Sequence, residues 1–396
     1  MRIQLPDKVH RIIETLAGSG YEAYAVGGCI RDSILGRAPN DWDITTSARP
    51  ETIKQLFSRT IDTGIKHGTV TVMMDQEGFE VTTYRIDGEY EDGRHPKEVT
   101  FTASLEEDLK RRDFTINAMA YNEQTGLVDL FGGLQDIGQG IIRCVGNAQE
   151  RFTEDALRML RAVRFSAQLG YQIECDTKRA IRVMSPNLRQ ISAERIQAEL
   201  VKLVVSDHPD YLRIAYETGI TEQFLPEFDR CMETEQKNPH HCYTVGEHIL
   251  HSMMQVEPDK VLRLGMLFHD IGKPQTLTVD AEGLTHNRGH AEVGEQMTLQ
   301  ILRRLKFDND TIRKVTKIVR FHDQDVGMSP GAVRRAVNRT GEDIFRMLFS
   351  VKSADILAQS DYLRKEKLEK LAYIQEIYEE ICRKQECICL KDLAVT

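Results

Sequence analysis

Apolar residues at the start of the chain follow first a helical and then an extended spacing. Apolar positions recur at three- and four-residue intervals from Leu5 to Ala17 and stop before Gly18, which predicts a helix. The short apolar run Ala23–Val26 then predicts a buried strand, and Gly27 and Gly28 end it. A helix, a strand and a glycine turn therefore open the fold.

The same two periods continue along the first half of the chain. They predict a helix starting near Ser33, a strand that carries Asp41 and Asp43, a helix over Pro50–Phe57, and a hairpin of His67–Met74 with Phe79–Arg85. Two further helices are predicted, one over Phe152–Phe165 with Thr153 as its cap and one over Ile191–Leu200. From about residue 226 the pattern is helical throughout. The strands and helices together predict an α+β class, with the strands in the first part of the chain and helices after them.

Composition limits the classes that remain. A chain of 396 residues predicts two to four domains. A formal net charge of −9 argues against nucleic acid coating the whole surface, but a local basic groove can bind RNA on a protein of acidic average charge. No apolar run approaches the roughly 18 residues of a membrane helix. The eight cysteines are scattered. We therefore expect a cytoplasmic protein with free thiols and no membrane partner.

The glycine turn and the acidic pair carry candidate chemistry. A turn without Cβ atoms lets backbone N–H groups approach a phosphate. Asp41 and Asp43, two residues apart on a strand, point to the same side, where a pair of hard cations binds between carboxylates and a triphosphate. Alone, a glycine pair is an ordinary turn and an Asp-x-Asp a solvated loop. Their spacing within one strand–turn–helix–strand unit is the stronger signal.

The run Gly-Gly-x-x-Arg-Asp followed by Asp-x-Asp resembles the nucleotidyltransferase superfamily, in particular class II tRNA nucleotidyltransferases, which comprise CCA-adding enzymes and their poly(A) polymerase relatives. The resemblance implies two Mg²⁺ ions on Asp41 and Asp43, supported by Glu80. It also implies phosphate contacts from the segment that holds Gly27, Gly28 and Arg31.

A second motif of the same family is Arg-Arg-Asp-Phe-Thr-x-Asn-Ala, which here begins at Arg111. Its default interpretation is a solvated charged face of a helix. The resemblance implies instead that Arg112 neutralises triphosphate charge, that Asp113 accepts a ribose hydroxyl, and that Asn117 belongs to the nucleotide site.

Four charged residues recur at every third position of the predicted helix over 152–165: Asp155, Arg158, Arg161 and Arg164. An exposed helix with weak ion pairs is the alternative. An ionised Asp only accepts and an Arg only donates, so a fixed Asp155–Arg158 pair matches cytosine and adenine and opposes guanine and uracil. In the family the motif Glu-Asp-x-x-Arg has this role, and the other two arginines fall on nucleotide-binding positions.

The second half carries the run His-Asp-Ile-Gly-Lys, which resembles the HD superfamily of metal-dependent phosphohydrolases. The resemblance implies a second divalent-metal site. Its best ligand candidates are His248, His269, Asp270 and Asp355, followed by His290 and His322. A helical body that only binds RNA is the alternative.

Two segments extend the resemblance. The polar stretch Asp87–Thr100 is expected to be a mobile loop that favours an enzyme able to add the final A. Leu390–Thr396 resembles the start of a further helical segment that holds the tRNA elbow, so we expect a truncated tail.

The resemblance implies an α+β fold with a small mixed β-sheet in a catalytic head (1–145). An all-α base-reading neck (146–225) and an all-α body with the HD-type site (226–365) follow, and then the start of a tail (366–396). The expected reaction adds C and A to the tRNA 3′ end from CTP and ATP. The alternatives are an A-adding enzyme, a poly(A) polymerase, or an HD phosphohydrolase with a nucleotide-binding head.

Overall fold

The computed structural model describes residues 1–87 and 99–384, which form two compact units. The first is Met1–Ile191, and the second begins at Ser192. Most of the predicted loop Asp87–Thr100 and the whole predicted tail segment Leu390–Thr396 lie outside the described residues. The two units are described separately below.

The first unit is an α+β domain. Its strands are β1 Ala23–Val26, β2 Asp43–Thr46, β3 Thr60–Gly64, β4 Thr69–Met74, β5 Glu77–Thr83, β6 Arg85–Asp87, β7 Val99–Phe101, β8 Met119–Asn122, β9 Gly126–Asp129, β10 Ile141–Ile142 and β11 Gln172–Ile173. Its helices are α1 Asp7–Gly18, α2 Gly28–Ile34, α3 Pro50–Leu56, α4 Leu105–Lys110, α5 Gly133–Gln139, α6 Ala148–Glu154, α7 Leu157–Leu169 and α8 Cys175–Met184.

Seven strands form one sheet in the order β3-β4-β5-β2-β1-β8-β9. The pairing of β2 with β5 is parallel and the other pairings are antiparallel, so the sheet is mixed. The predicted fold class is confirmed. The predicted hairpin is β4 with β5, and β2 lies at the centre of the sheet.

Two helix predictions are wrong. The helix expected to start near Ser33 is instead α2, which begins directly after Gly27 and ends at Ile34. The φ of 86° at Gly27 turns the chain, and α2 buries Cys29 and Ile30. The helix expected over residues 152–165 is two helices, α6 and α7. Asp155 between them is extended, with φ −147° and ψ 103°, and the cap of α6 is Asn147 rather than Thr153.

The second unit is almost entirely helical. Its elements are α9 Ala193–Val204, α10 Leu212–Glu217, α11 Thr221–Phe224, α12 Pro226–Glu233, α13 Val245–Met253, α14 Lys260–Phe268, α15 Lys273–Thr276, β12 Thr278–Val279, β13 Thr285–His286, α16 His290–Arg304, α17 Asn309–Phe321, α18 Pro330–Thr340, α19 Glu342–Ala358 and α20 Arg364–Arg383. Within residues 1–87 and 99–384, every helix is too short or too polar to cross a membrane.

Candidate functional site

Three acidic side chains lie close together beside the central strands β2 and β5. Strand β2 begins at Asp43, and Asp41 lies two residues before it, so the prediction that one strand carries both carboxylates is wrong for Asp41. In the parallel pairing Ile44 lies opposite Val81, so the preceding residues Asp43 and Glu80 are adjacent. The structure brings these three predicted residues together.

The carboxylates influence each other electrostatically. Partial loss of hydration raises the pKa of Asp43, and the negative charge of Asp41 raises it further, while Arg112 opposes the rise. The pKa of Glu80 is raised by the same loss of hydration and by Asp43 and Asp41. A cluster of mutually repelling carboxylates favours a bound cation, so its chemistry fits the divalent-metal site predicted from the sequence.

The predicted phosphate-binding turn lies against a half-buried arginine, Arg112. A Cβ atom at Gly27 would lie 2.9 Å from Nη1 of Arg112. Burial lowers the pKa of Arg112, and the negative charges of Asp108 and Asp43 oppose that change. The guanidinium therefore lies between the glycine turn and two carboxylates.

A chain of hydrogen bonds joins five charged or polar side chains of the head. Arg31 donates to Asp32 over 2.9 Å through Nε and to Oδ1 of Asn117 over 2.7 Å through Nη1. The amide of Asn117 donates to Oδ1 of Asp113 over 3.2 Å. Arg161 donates to Oδ2 of Asp113 through Nε and Nη2, over 2.9 and 2.6 Å. Three predicted nucleotide-binding segments are thus connected.

Both carboxylate oxygens of Asp113 accept hydrogen bonds from other groups of the protein. The carboxylate also accepts from the backbone N–H of Phe114 over 2.8 Å. Burial acts to raise the pKa of Asp113, but Arg161 outweighs it, and the pKa lies well below the ordinary value. With both oxygens accepting from protein donors, the geometry favours a role in positioning Arg161 over the predicted ribose contact.

Asp155 and Arg158 lie at the junction of α6 and α7. Oδ1 of Asp155 accepts from the N–H of Leu157 over 3.0 Å and caps α7. Arg158 donates to Glu154 over 2.5 Å and to the carbonyl oxygen of Arg111 over 3.0 Å. The junction is therefore attached to the Arg-Arg-Asp segment, while base recognition by Asp155 and Arg158 stays a prediction.

Phe165 was missed by the sequence reasoning as part of this site. The centroid of its ring lies 3.6 Å from the guanidinium carbon of Arg164, 5.0 Å from that of Arg31 and 5.4 Å from that of Arg161. The sequence signal that could have identified Phe165 is an aromatic residue directly after Arg164, since arginines pack on aromatic rings. The ring holds three predicted nucleotide-binding arginines around one side of α7.

In the second unit, six predicted ligands converge from five helical elements. His248 is on α13, His269 and Asp270 follow α14, His290 begins α16, His322 follows α17 and Asp355 is on α19. One group comprises His248, His269 and Asp270, and another comprises Asp270, His290 and His322. Asp270 belongs to both groups. All three members of each group are buried.

The distances place side-chain ligand atoms around two centres. Nε2 of His248 lies 3.1 Å from Nε2 of His269, 2.9 Å from Asp355 and 3.4 Å from Oδ2 of Asp270. Nε2 of His290 lies 3.5 Å from Oδ1 of Asp270. The two carboxylate oxygens of Asp270 therefore face different groups.

The orientation of the imidazoles fits a metal. Nδ1 of His269, His290 and His322 lies 2.7 to 2.8 Å from a backbone carbonyl oxygen, and Nδ1 of His248 lies 3.3 Å from one. A carbonyl oxygen only accepts, so Nδ1 carries the proton and Nε2 presents a lone pair. The Nε2 atoms of His248 and His269 lie 3.1 Å apart, and so do those of His290 and His322. A cation bound by each pair would stabilise this arrangement.

A cavity of about 510 Å³ opens beside this cluster. Its lining includes Asp270 and His290 together with the cationic residues Lys273 and Arg288. Lys273 lies 2.7 Å from Oδ2 of Asp270 and donates to Gln236 over 3.0 Å. Burial acts to raise the pKa of Asp270, but His269 and Lys273 outweigh it and hold the pKa well below its ordinary value. A cavity that combines residues able to ligate a metal with cationic side chains is suited to binding a phosphoester.

Three family matches cover most of the chain. The Poly A polymerase head domain matches residues 23–143. The family described as the probable RNA and SrmB-binding site of polymerase A matches residues 170–232. The HD domain matches residues 240–390.

Similar proteins share one name. The CCA-adding enzyme of Leuconostoc mesenteroides is 39% identical over 390 residues, which cover 91% of this chain and 96% of that protein. The CCA-adding enzyme of Lactiplantibacillus plantarum is 56% identical over 198 residues, or 50% of this chain and 49% of that protein.

Solved structures agree with this similarity. The CCA-adding enzyme of Bacillus stearothermophilus in complex with CTP matches with a TM-score of 0.71 and 32% identity, covering 96% of this chain and 84% of that chain. The Thermotoga maritima CCA-adding enzyme complexed with tRNA matches with a TM-score of 0.59 and 19% identity, over 96% of this chain and 87% of that chain, and supports the fold.

Proposed function

Because this chain belongs to the CCA-adding enzyme family, we propose that it adds C and A to the 3′ end of tRNA from CTP and ATP without a nucleic-acid template. The reaction is attack of the RNA 3′-hydroxyl on the α-phosphate, with release of pyrophosphate. Enzymes of this family use divalent metal, and we assign two Mg²⁺ ions to the head.

The observation that carries the proposal is the carboxylate cluster of Asp41, Asp43 and Glu80 beside the half-buried Arg112. We assign Asp41 and Asp43 as metal ligands and Glu80 as their support. Bound Mg²⁺ supplies Lewis-acid activation of the hydroxyl and offsets phosphate charge. Arg112 faces the Gly27–Gly28 turn, where it would bind the triphosphate.

We assign base selection to Asp155 and Arg158 at the start of α7. Cytosine and adenine each present an amine beside a ring-nitrogen acceptor, which matches one acceptor and one donor of the protein. Arg158 must exchange its contact with Glu154 for the base. Arg161 and Arg164, held by Asp113 and Phe165, would complete the nucleotide site.

The test is incorporation into tRNA that lacks its 3′ end, with each nucleoside triphosphate supplied singly and then CTP and ATP together. C and A incorporation supports the proposal, and incorporation of A alone supports an A-adding enzyme or a poly(A) polymerase. Loss of activity in D43N, with retained activity in the exposed-surface control D176N, ties incorporation to the head.

A second function is favoured by the six-residue cluster of the second unit. We infer that it holds divalent metal, with Asp270 shared by the two ligand groups, and hydrolyses phosphoesters bound near Lys273 and Arg288. The test combines metal analysis of the purified protein with hydrolysis of a cyclic nucleotide phosphate. If the protein binds no divalent metal and does not hydrolyse the cyclic nucleotide phosphate, the role left for this unit is that of an RNA-binding body.

We assign the head to residues 1–145, the neck to 146–225, the body to 226–365 and the start of a tail to 366–396. A cytoplasmic location is supported by the thiols, since the six cysteines within the described ranges are free.

A further inference from the structure

Asp108 is a charged residue with no solvent exposure, on the short helix α4. Neither the metal ligands nor the nucleotide-binding residues assigned above include it. A buried carboxylate costs folding free energy unless it is paired and hydrogen-bonded, so its contacts explain why it is tolerated.

The contacts of Asp108 join two parts of the head. Its Oδ2 accepts from the hydroxyl of Thr45 over 3.0 Å, and Thr45 lies on β2 two residues after Asp43. Its Oδ1 accepts from Nε and Nη2 of Arg111 over 3.0 and 2.8 Å. Its Oδ2 also lies 3.7 Å from Nη2 of Arg112. One carboxylate thus connects the metal strand to both arginines.

Arg112 depends on this carboxylate for charge compensation. Its side chain is wedged against Gly27, and its Nε atom is buried without a hydrogen-bond partner among the described residues. Burial acts to raise the pKa of Asp108, but Arg111 and Arg112 outweigh it, so the carboxylate stays ionised. Removing that charge leaves the half-buried Arg112 with Asp43 as its main counter-charge.

Arg111 extends the connection to the base-reading segment. Its backbone carbonyl oxygen accepts from Nη2 of Arg158 over 3.0 Å. The side chain and the backbone of Arg111 therefore link Asp108 to the start of α7. A shift of this segment would move a triphosphate contact and a base contact together.

We propose that Asp108 is a positioning residue that holds Arg112 in register with the metal-binding strand, so that the triphosphate meets Arg112 and the acidic cluster at the same time. Asp108 acts through Arg112 and does not itself touch the nucleotide. This inference rests on the nucleotidyl transfer proposed above.

The experiment is a double-mutant cycle on the full chain, read by CTP binding without tRNA and by steady-state C incorporation. We expect D108N to weaken CTP binding and raise KM by about 10-fold or more, because a charge-assisted contact to Arg112 is lost, with a smaller effect on kcat. In an R112A background the same change should weaken binding by less than about 2-fold, since the effect passes through Arg112.

Matched variants separate positioning from folding. E106Q removes an exposed charge from the same helix and should leave CTP binding unchanged, while D108E should restore part of the affinity lost in D108N. T45V removes one hydrogen bond to Asp108 and should weaken binding by roughly 2- to 5-fold, again only when Arg112 is present.

A folded D108N protein with unchanged CTP affinity overturns the proposal, and so does an undiminished effect in the R112A background. If D108N does not fold, unchanged CTP affinity in T45V has the same consequence. Wild-type protein that binds CTP but adds no C or A would refute the proposed function, and the binding cycle would still decide the role of Asp108.

Discussion

Asp113 accepts two hydrogen bonds from the guanidinium of Arg161, over 2.6 and 2.9 Å, and this pair fastens the Arg-Arg-Asp segment to α7. The carboxylate is buried. The residues proposed to contact the triphosphate and those proposed to read the base are therefore parts of one connected framework. Substitutions in it should change affinity and base choice together.

Replacement of Asp43 by Asn should lower C and A incorporation by roughly 10²–10³-fold or more, because a metal ligand and its charge are lost. The melting temperature should not fall, since the change removes repulsion from Asp41 and Glu80. Incorporation and thermal unfolding are measured on the same preparations, with D176N as the control. A D43N protein that incorporates at the wild-type rate would exclude Asp43 as a ligand.

Replacement of Gly27 by Ala should weaken binding of CTP and ATP, because the new Cβ would lie 2.9 Å from Nη1 of Arg112. Gly20 offers a control for the positive φ, since its φ is +87° against +86° at Gly27, and a Cβ there meets no atom of the described residues within 4 Å. The G20A variant should lose about 1 kcal/mol of stability from the positive φ. The G27A variant should lose more, because the ψ of −133° at Gly27 lies outside the left-handed region that other residues tolerate. Only G27A should show altered nucleotide affinity, by titration calorimetry.

Replacement of Asp155 or Arg158 by Ala should blur base choice more than it reduces fold stability. The expected loss of discrimination against GTP and UTP corresponds to roughly 1–3 kcal/mol for each unmatched polar group. Loss of the cap on α7 should cost D155A about 1 kcal/mol of stability. Misincorporation is measured by competition between nucleotides, with R179A as an exposed arginine control. Unchanged selection of CTP and ATP in both variants would contradict the assignment.

Replacement of Asp270 by Asn should reduce bound divalent metal at both ligand groups of the second unit, because each group takes one of its carboxylate oxygens. Replacement of His322 by Ala should deplete only the group that contains His290 and spare the group that contains His248. Metal is counted by elemental analysis after dialysis. Equal metal content in D270N and wild-type protein would show that the ions bind elsewhere.

Asp229 on α12 predicts a pH dependence of stability. Burial, with further repulsion from Glu222 and Glu233, raises its pKa to about 6. The folded state therefore binds more protons than the unfolded state between about pH 4 and 6, and stability falls as the pH rises through that window.

Replacement of Asp229 by Asn should stabilise the protein at pH 8 by about 1 kcal/mol, a value reduced for the partial solvent exposure of the carboxylate. The gain should vanish near pH 4, where wild-type Asp229 is protonated. Asp310, whose pKa is lowered by Lys314 and Arg313, is the contrast, and D310N should give no gain at pH 8. Thermal unfolding at both pH values measures the difference.

Sequence predicted those parts of the head that depend on neighbours in the chain. The turn at Gly27 and the strand that begins at Asp43 depend on backbone freedom and on a short apolar run, which are local properties. The α+β class followed from the periodicity, whereas the mixed sheet was implied by the family resemblance. The order of its strands was outside the reach of pattern reasoning.

Three features needed the structure. The burial of Asp108 depends on Thr45, which is distant in sequence, so a charge run that is usually solvated here forms an internal ion-pair network. The break at Asp155 was hidden because the helical spacing continues across it, although an aspartate that caps a helix was the available signal. The convergence of His248 with Asp355 likewise required tertiary packing.

The six predicted imidazole and carboxylate ligands of the second unit lie on or directly after α13, α14, α16, α17 and α19, which are separated by long stretches of chain. A cation bound there would crosslink those helices without a covalent bond, since it binds only when all of them are assembled. Chelator treatment should then expose interhelical segments to proteolysis, so the lifetime of this protein would follow the divalent-ion supply of its surroundings.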